Sequence, residues 1–344
     1  MDLIHPHTAG EVAEALRTAS AGGTRLLVVG GRQHIDKGNP TEVDGELWTT
    51  LLDRTIAYDP AEMLCVVEAG MRIRDLTAML AEGGQEWPVD APGDATVAGV
   101  IAADVALPRQ LRVGTLRDTV VEMDLVMGDG RHVRSGARTV KNVTGFDIHR
   151  LLTGSLGTLG VITQVALKVR PLPKAVRTLV TAEGGLELGR RVLDTVPLPA
   201  AVLAAPDHIA VRVEGWPEEV AEQASALGGI TSFTDADPAM FPPPLFPDAP
   251  IVAEPALAPS KLGSLLDAVD DFRALMGVGF AWVPCADADE LSRLRARAGE
   301  LGGIAPVRRG PGGLSDSAVP ASQIQRRIKA AFDPANVLAP GRCF

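Results

Sequence analysis

RLLVVGGRQHIDKGNP, residues 25–40, sets a short apolar run of strand character directly against a loop that opens on tandem glycines and closes on Gly-Asn-Pro. Glycines with small or polar neighbours let consecutive backbone N–H groups turn toward an anion, which is the general means of cradling a phosphate. Read alone, the loop fits a plain surface turn equally well. No helical period follows it, so the strand, G-x-G-x-x-G, helix order of a nicotinamide site is missing. The second glycine cluster, Gly154, Gly157 and Gly160, has the spacing G-x-x-G-x-x-G and leads into a strand. Neither cluster supplies the GxxxxGK[ST] of an NTPase loop, and Ser155 in TGSLG lacks the first glycine of a nucleophile elbow. Dinucleotide dehydrogenase, NTPase and serine hydrolase chemistry all lose support.

Upstream, residues 8–21 predict a helix, with Thr8 as N-cap, Glu11 three residues on, and Val12, Ala15, Leu16 and Ala19 on one face. Downstream, Leu64–Ala69 reads as a strand and Ile73–Glu82 as a helix with Leu76, Met79 and Leu80 inward. WPVDAPGDATVAGVIAADVALPRQLRVGTLRD, residues 87–118, shows no sustained period and reads as a long functional loop. Val120–Met127 and His132–Ser135 flank an Asp-Gly turn and predict a hairpin. Residues 151–169, LLTGSLGTLGVITQVALKV, end this half in a strand. Beyond Pro173 the pattern becomes strand, helix, strand: Thr178–Ala182, Leu186–Val196, Ile209–Val213, Glu218–Leu227 and Ile230–Phe233, then helix 260–275, strand 278–283 and helix 287–301. Two sets of strands with two helices suggest a ferredoxin-like α+β unit. The last 25 residues read as a short helix and a tail rich in Pro and Gly.

Composition limits the function. A formal charge of −10 argues against binding nucleic acid by phosphate neutralisation. Cys65, Cys285 and Cys343 are too far apart in sequence for a zinc or iron-sulfur motif, so any cluster in the electron path belongs to a partner. His5, His7, His132, His149 and His208 show no metal spacing, and no metal site is expected. The opening MDLIHPHTAGEVAEAL has neither a basic nor an apolar leader segment, and no run approaches 18 apolar residues. A cytoplasmic protein is expected.

Four stretches in order, GGRQHIDKGNP, the 87–118 segment, KNVTGFDIHRLLTGSLGTLGVIT and FDPANVLAPGR, resemble the FAD-binding subunits of bacterial glycolate oxidases. More broadly they are similar to flavoproteins of the vanillyl-alcohol oxidase and p-cresol methylhydroxylase (PCMH) type. The resemblance covers residues 1–172 and the last 25. It implies an α+β fold: a two-subdomain PCMH-type FAD-binding domain at 1–172 (subdomains about 1–55 and 56–172), a ferredoxin-like cap at 173–319, and a segment 320–344 returning to the FAD domain. It implies that Gly30, Gly31, Arg32, Gln33 and His34 hold the FAD pyrophosphate. Pro92, Gly93, Thr96, Val97 and Gly99 would flank the phosphates and flavin, with Gly114, Thr115 and Asp118 nearby. Gly157, Gly160, Val161 and Ile162 would line the adenosine or flavin channel. Lys141, Asn142 and Asp147 match a family motif, in which bracing of the loop and a direct role are both open. The FAD is expected to be noncovalent, with His34 as a loop hydrogen-bonding group in place of a covalent anchor.

The chain departs from the family at three positions: Arg32 and Ala98 stand where glycines are usual, and Ala339 where Asn often precedes Pro-Gly. Arg32 is expected to offset its bulk with a charge-assisted bond to the pyrophosphate. No histidine follows His208, so the HxGDGNxH-type metal and substrate motif of related 2-hydroxy acid dehydrogenases is missing, and no catalytic residue is assigned. The implied role is the FAD-binding subunit of a complex that oxidises a 2-hydroxy acid such as glycolate or D-lactate, beside a second, catalytic flavoprotein and an iron-sulfur subunit. A stand-alone FAD oxidoreductase and a noncatalytic assembly subunit with a decayed flavin site are the alternatives.

Overall fold

The computed structural model describes residues 2–105, 107–138, 146–237, 246, 248–311 and 323–343. The chain divides into two units, one of Met1–Val105, Thr115–Leu172 and Ser315–Phe344, the other of Ala106–Gly114 and Pro173–Leu314. Segment 106–114, read from sequence as part of the first domain, packs with the second unit.

The first unit holds two main sheets. Strands β1 (Asp2–Ile4), β2 (Leu26–Val29) and β3 (Gly45–Trp48) form a parallel sheet in the order β1-β3-β2. Helix Ala9–Gly22 covers it: Thr8 Oγ1 accepts the Glu11 N–H at 3.1 Å, and Val12, Ala13, Leu16 and Ala19 are buried. Full burial of a side chain such as Leu16 is worth about 1.5–3 kcal/mol, which fixes the helix on this sheet. Strands β4 (Thr55–Asp59), β5 (Leu64–Glu68), β7 (Val120–Val126), β8 (His132–Gly136) and β9 (Val161–Lys168) form an antiparallel sheet, β4-β5-β9-β7-β8. The short β6 (Gln85–Glu86) and β10 (Arg170–Pro171) pair with each other.

The long loop expected at 87–118 is instead partly helical, with α-helices Val97–Ala103 and Gln110–Val113 and a 3₁₀ turn Leu116–Asp118. Val97, Ala98, Val100, Ile101 and Ala103 are all buried. A seven-residue helix buried nearly all round has no polar face, hence no period to read.

In the second unit β11 (Ala175–Thr181), helix Leu186–Thr195, β12 (Ala201–Ala204), β13 (Ile209–Gly215), helix Pro217–Leu227 and β14 (Thr234–Ala236) make one βαββαβ motif. A second follows: β15 (Ile251–Ala253), helix Pro259–Leu266, β16 (Arg273–Leu275), β17 (Phe280–Cys285), helix Ala288–Glu300 and β18 (Val307–Arg309). The sheet order, β14-β11-β13-β12-β16-β17-β15-β18, is two ferredoxin-like halves joined antiparallel through the second strand of each. The helix expected over 260–275 stops at Leu266, and Arg273–Leu275 is the strand that makes this join. Asp267, Asp270 and Asp271 follow the helix at the end where its dipole disfavours negative charge. The strand expected at 230–233 lies at Thr234–Ala236.

Candidate functional site

Where β2 ends, the chain turns through Gly30 and Gly31 into a loop that walls an open cavity of about 690 Å³, counting the space open to solvent. Residues 28–35, the buried helix Val97–Ala103, residues 156–162 and Arg342 supply the walls. Both glycines are required by the protein itself. A Cβ on Gly30 would strike the Thr96 hydroxyl, and one on Gly31 would strike the Asp94 carbonyl. That close approach seats the loop against Thr96, whose Oγ1 also accepts the Gly99 N–H at 3.2 Å as N-cap of the buried helix.

The backbone N–H groups of Gly30, Gly31, Arg32 and Gln33 donate to no described residue. Successive amides without an acceptor among the described residues, at a cavity wall, are the donor type that anion-binding concavities use. No Asp or Glu lines this cavity among the described residues, and the buried Arg342 does. This donor set fits a pyrophosphate.

Arg32 takes the left-handed conformation, φ 55°, that favours the glycine usual at this position. Its Nη1 donates to both oxygens of Glu46 at 2.9 Å, and its guanidinium lies 5.4 Å from the centre of the Trp48 ring. Trp48 Nε1 donates to the same carboxylate at 2.8 Å. Glu46 and Trp48, two apart on β3, therefore draw the Arg32 side chain toward themselves, whereas the sequence reading aimed it at the pyrophosphate.

The segment 333–343 closes around the loop. Leu26 N–H donates to Val337 O at 2.7 Å and Ala339 N–H to Leu26 O at 2.9 Å, which seats the segment beside β2. Asn39 N–H then donates to Arg342 O at 2.8 Å, and Arg342 Nη2 to Ile35 O at 2.6 Å. Beneath it Asp333, whose side chain is fully buried, accepts from Val337 N at 3.0 Å, Leu338 N at 2.8 Å and Lys329 Nζ at 2.6 Å. Lys329 also donates to Thr158 O and Leu338 O, both at 2.8 Å, and burial pushes its pKa down against the attraction of Asp333.

Residues 3–136 match the family of the FAD binding domain. The chain is similar to the PCMH-type FAD-binding flavoproteins. It is 28% identical to glycolate oxidase subunit GlcE of Escherichia coli (strain K12), across 96% of both chains. It is 33% identical to a D-lactate dehydrogenase of Anaerostipes hadrus over 48% of its own length, and 32% identical to a mitochondrial D-2-hydroxyglutarate dehydrogenase of Rattus norvegicus over 51%. Those matches span only about a third of the two dehydrogenases, 34% and 33%. A solved alkyldihydroxyacetonephosphate synthase superposes with a TM-score of 0.71 over 98% of this chain and 75% of its own, at 15% identity, so the likeness is one of fold. FAD is the cofactor of this flavoprotein, and when bound it supplies a two-electron acceptor for oxidoreductase chemistry.

Of the residues singled out from sequence, the cavity brings together Gly30, Gly31, Arg32, Gln33, His34, Thr96, Gly99, Gly157, Gly160 and Ile162. Val97 and Val161 lie fully buried in the core instead. Pro92 and Gly93 are outside the lining, and their carbonyls accept from Ala95 and Arg74 in the turn before the buried helix. Gly114 closes the Gln110–Val113 helix in the second unit. Thr115 and Asp118 form a capping box, Asp118 also accepting from Arg150 at 2.7 Å. The Thr115 hydroxyl, then Arg150, holds the Asp118 pKa below the usual carboxylate range. Lys141 and Asn142 lie outside the described residues, and the Asp147 carbonyl accepts the Arg150 N–H at 3.0 Å. Sequence reasoning missed Arg342, although FDPANVLAPGR was itself one of the motifs that pointed to the family.

Proposed function

We propose that the chain is the FAD-binding subunit of a glycolate oxidase-like complex. It takes part in oxidising a small 2-hydroxy acid, glycolate or D-lactate, and passes electrons to an iron-sulfur partner, beside a second FAD-binding, catalytic subunit. The observation that carries this reading is the similarity to the GlcE subunit from end to end, 96% of each chain, whereas D-lactate dehydrogenases match over about half of this one. The sequence supports it further, since no histidine follows His208 to supply the metal and substrate motif of self-sufficient 2-hydroxy acid dehydrogenases. FAD is held noncovalently, by the Gly30–Gln33 amides and the walls of the cavity beside them. No helix among the described residues is long and apolar enough to cross a membrane, so partners would carry any contact with a membrane quinone pool.

The test is reconstitution. The purified chain alone is expected to show no steady 2-hydroxy acid turnover with an artificial acceptor, and co-expression with its partner subunits to restore it. Steady turnover by the single chain, with FAD bound, would instead identify a self-sufficient oxidoreductase.

A further inference from the structure

Arg342 stands apart from the other basic residues of the first unit. It is 8% exposed, sits at the cavity wall, and among the described residues makes one side-chain hydrogen bond, Nη2 to Ile35 O at 2.6 Å. A guanidinium carries five N–H donors and stays charged. Among the described residues no carboxylate stands within ion-pair reach of it, and Asp36 acts on it only by longer-range attraction. A buried cation without a partner is costly, and such groups persist where a counter-charge is supplied. By contrast, Arg32 is already engaged by Glu46, and Lys329 by Asp333. The cavity that Arg342 lines is also lined by Gly30, Gly31, Arg32 and Gln33, whose amides donate to no described residue, and by no acid among the described residues.

We propose that Arg342 is a ligand of the FAD pyrophosphate, the charged partner of the Gly30–Gln33 amides, so that the 333–343 segment forms a wall of the cofactor site as well as supporting its loop. The inference rests on FAD as cofactor and is independent of the substrate. It also predicts order: FAD bridges the 30–38 loop and the 333–343 segment, so binding protects both from proteolysis together.

The experiment is FAD titration of the full-length chain by flavin fluorescence, for wild type and for Arg342→Gln and Arg342→Lys, with riboflavin as the probe that lacks the pyrophosphate. Glutamine ends two bonds short of Nη2 and gives up the bond to Ile35 O, so a flavin-free thermal melt of Arg342→Gln records that structural cost beside the affinities. The dissociation constant of Arg342→Gln for FAD should rise about 10- to 100-fold, as for the loss of a charge-assisted bond. Riboflavin affinity should not change, and Arg342→Lys should recover part of the FAD affinity. FAD binding by Arg342→Gln as tight as wild type overturns the proposal. So does an equal loss for FAD and riboflavin, which marks Arg342 as a strut of the loop alone. Should Arg342→Gln fail to fold, Arg342→Lys decides: weakened FAD binding with riboflavin affinity unchanged supports the proposal, and FAD binding as tight as wild type, or FAD and riboflavin weakened alike, overturns it. A wild-type chain that binds no FAD overturns the proposal together with the cofactor assignment.

Discussion

Replacing Asp333 with Asn removes a charge and almost no volume, and it strikes the junction on which the cofactor loop depends. The carboxylate accepts two backbone amides and the Lys329 ammonium, and its side chain has no solvent exposure. An asparagine keeps one acceptor oxygen and turns its NH₂ toward groups that are themselves donors, leaving Lys329, 13% exposed, without its counter-ion. Breaking one partner of a buried pair costs about 3–5 kcal/mol. Lys329→Met leaves Asp333 buried on amides alone and should cost somewhat less, because the two amide bonds survive. The double variant should cost at least about 1 kcal/mol less than the two single costs added, the mark of direct coupling. The two units need not unfold together, so the assay is local: amide hydrogen exchange at Leu26, Val337, Leu338 and Ala339, the bonds that seat the segment beside β2. Protection there should fall by two orders of magnitude or more in Asp333→Asn, and FAD affinity should fall with it. Single costs below about 1 kcal/mol, or costs that add within about 0.5 kcal/mol, refute the reasoning.

Gly30→Ala should destabilise by about 1–3 kcal/mol through overlap with the Thr96 hydroxyl, and Thr96→Ala in the same chain should recover part of it. Gly31→Ala, which meets the Asp94 carbonyl, should show no such rescue in thermal melts. Leu198 is 71% exposed at φ 52°, so Leu198→Gly should raise stability by about 0.5–1 kcal/mol, and a lower melting temperature would contradict this. His149 is buried and its pKa is held below the ordinary 6.5, first by desolvation. The unfolded chain then binds the proton more readily, so stability should fall as pH drops through about 6.5 toward the lower folded value, and His149→Gln should flatten that slope in denaturant titrations. Burial raises the thiols of Cys65 and Cys285 to about 11, so iodoacetamide near neutral pH should modify Cys343 first, as read by peptide mass.

The strand Leu26–Val29, the glycine loop and the capped helix after Thr8 were legible because each carries a local signal: an apolar run, tandem glycines, a Thr-x-x-Glu box. The buried helix Val97–Ala103 was not, since burial all round erases the period. Nor was β12, four small apolar residues whose strand character comes from its two neighbours in the sheet. Apolar residues continuing past Leu266 hid the end of that helix, and with it the duplication of the second unit. In the site, residue type located the loop but not its wiring. Gly30 and Gly31 are explained by contacts with Asp94 and Thr96 as much as by any ligand, and Arg32 is taken by a glutamate fourteen positions away. Arg342 joins the cavity from more than 300 residues along the chain, which no local pattern reveals.

FAD occupying the cavity beside Gly30–Gln33 is the condition for every role proposed for this chain in electron transfer. The most direct measurement is the visible spectrum of the purified full-length chain, before and after acid precipitation. Flavin bands that pass to the supernatant, with mass and phosphate content of FAD, are the predicted result. A colourless chain that takes up no FAD on incubation would contradict the account and leave a role in assembly alone.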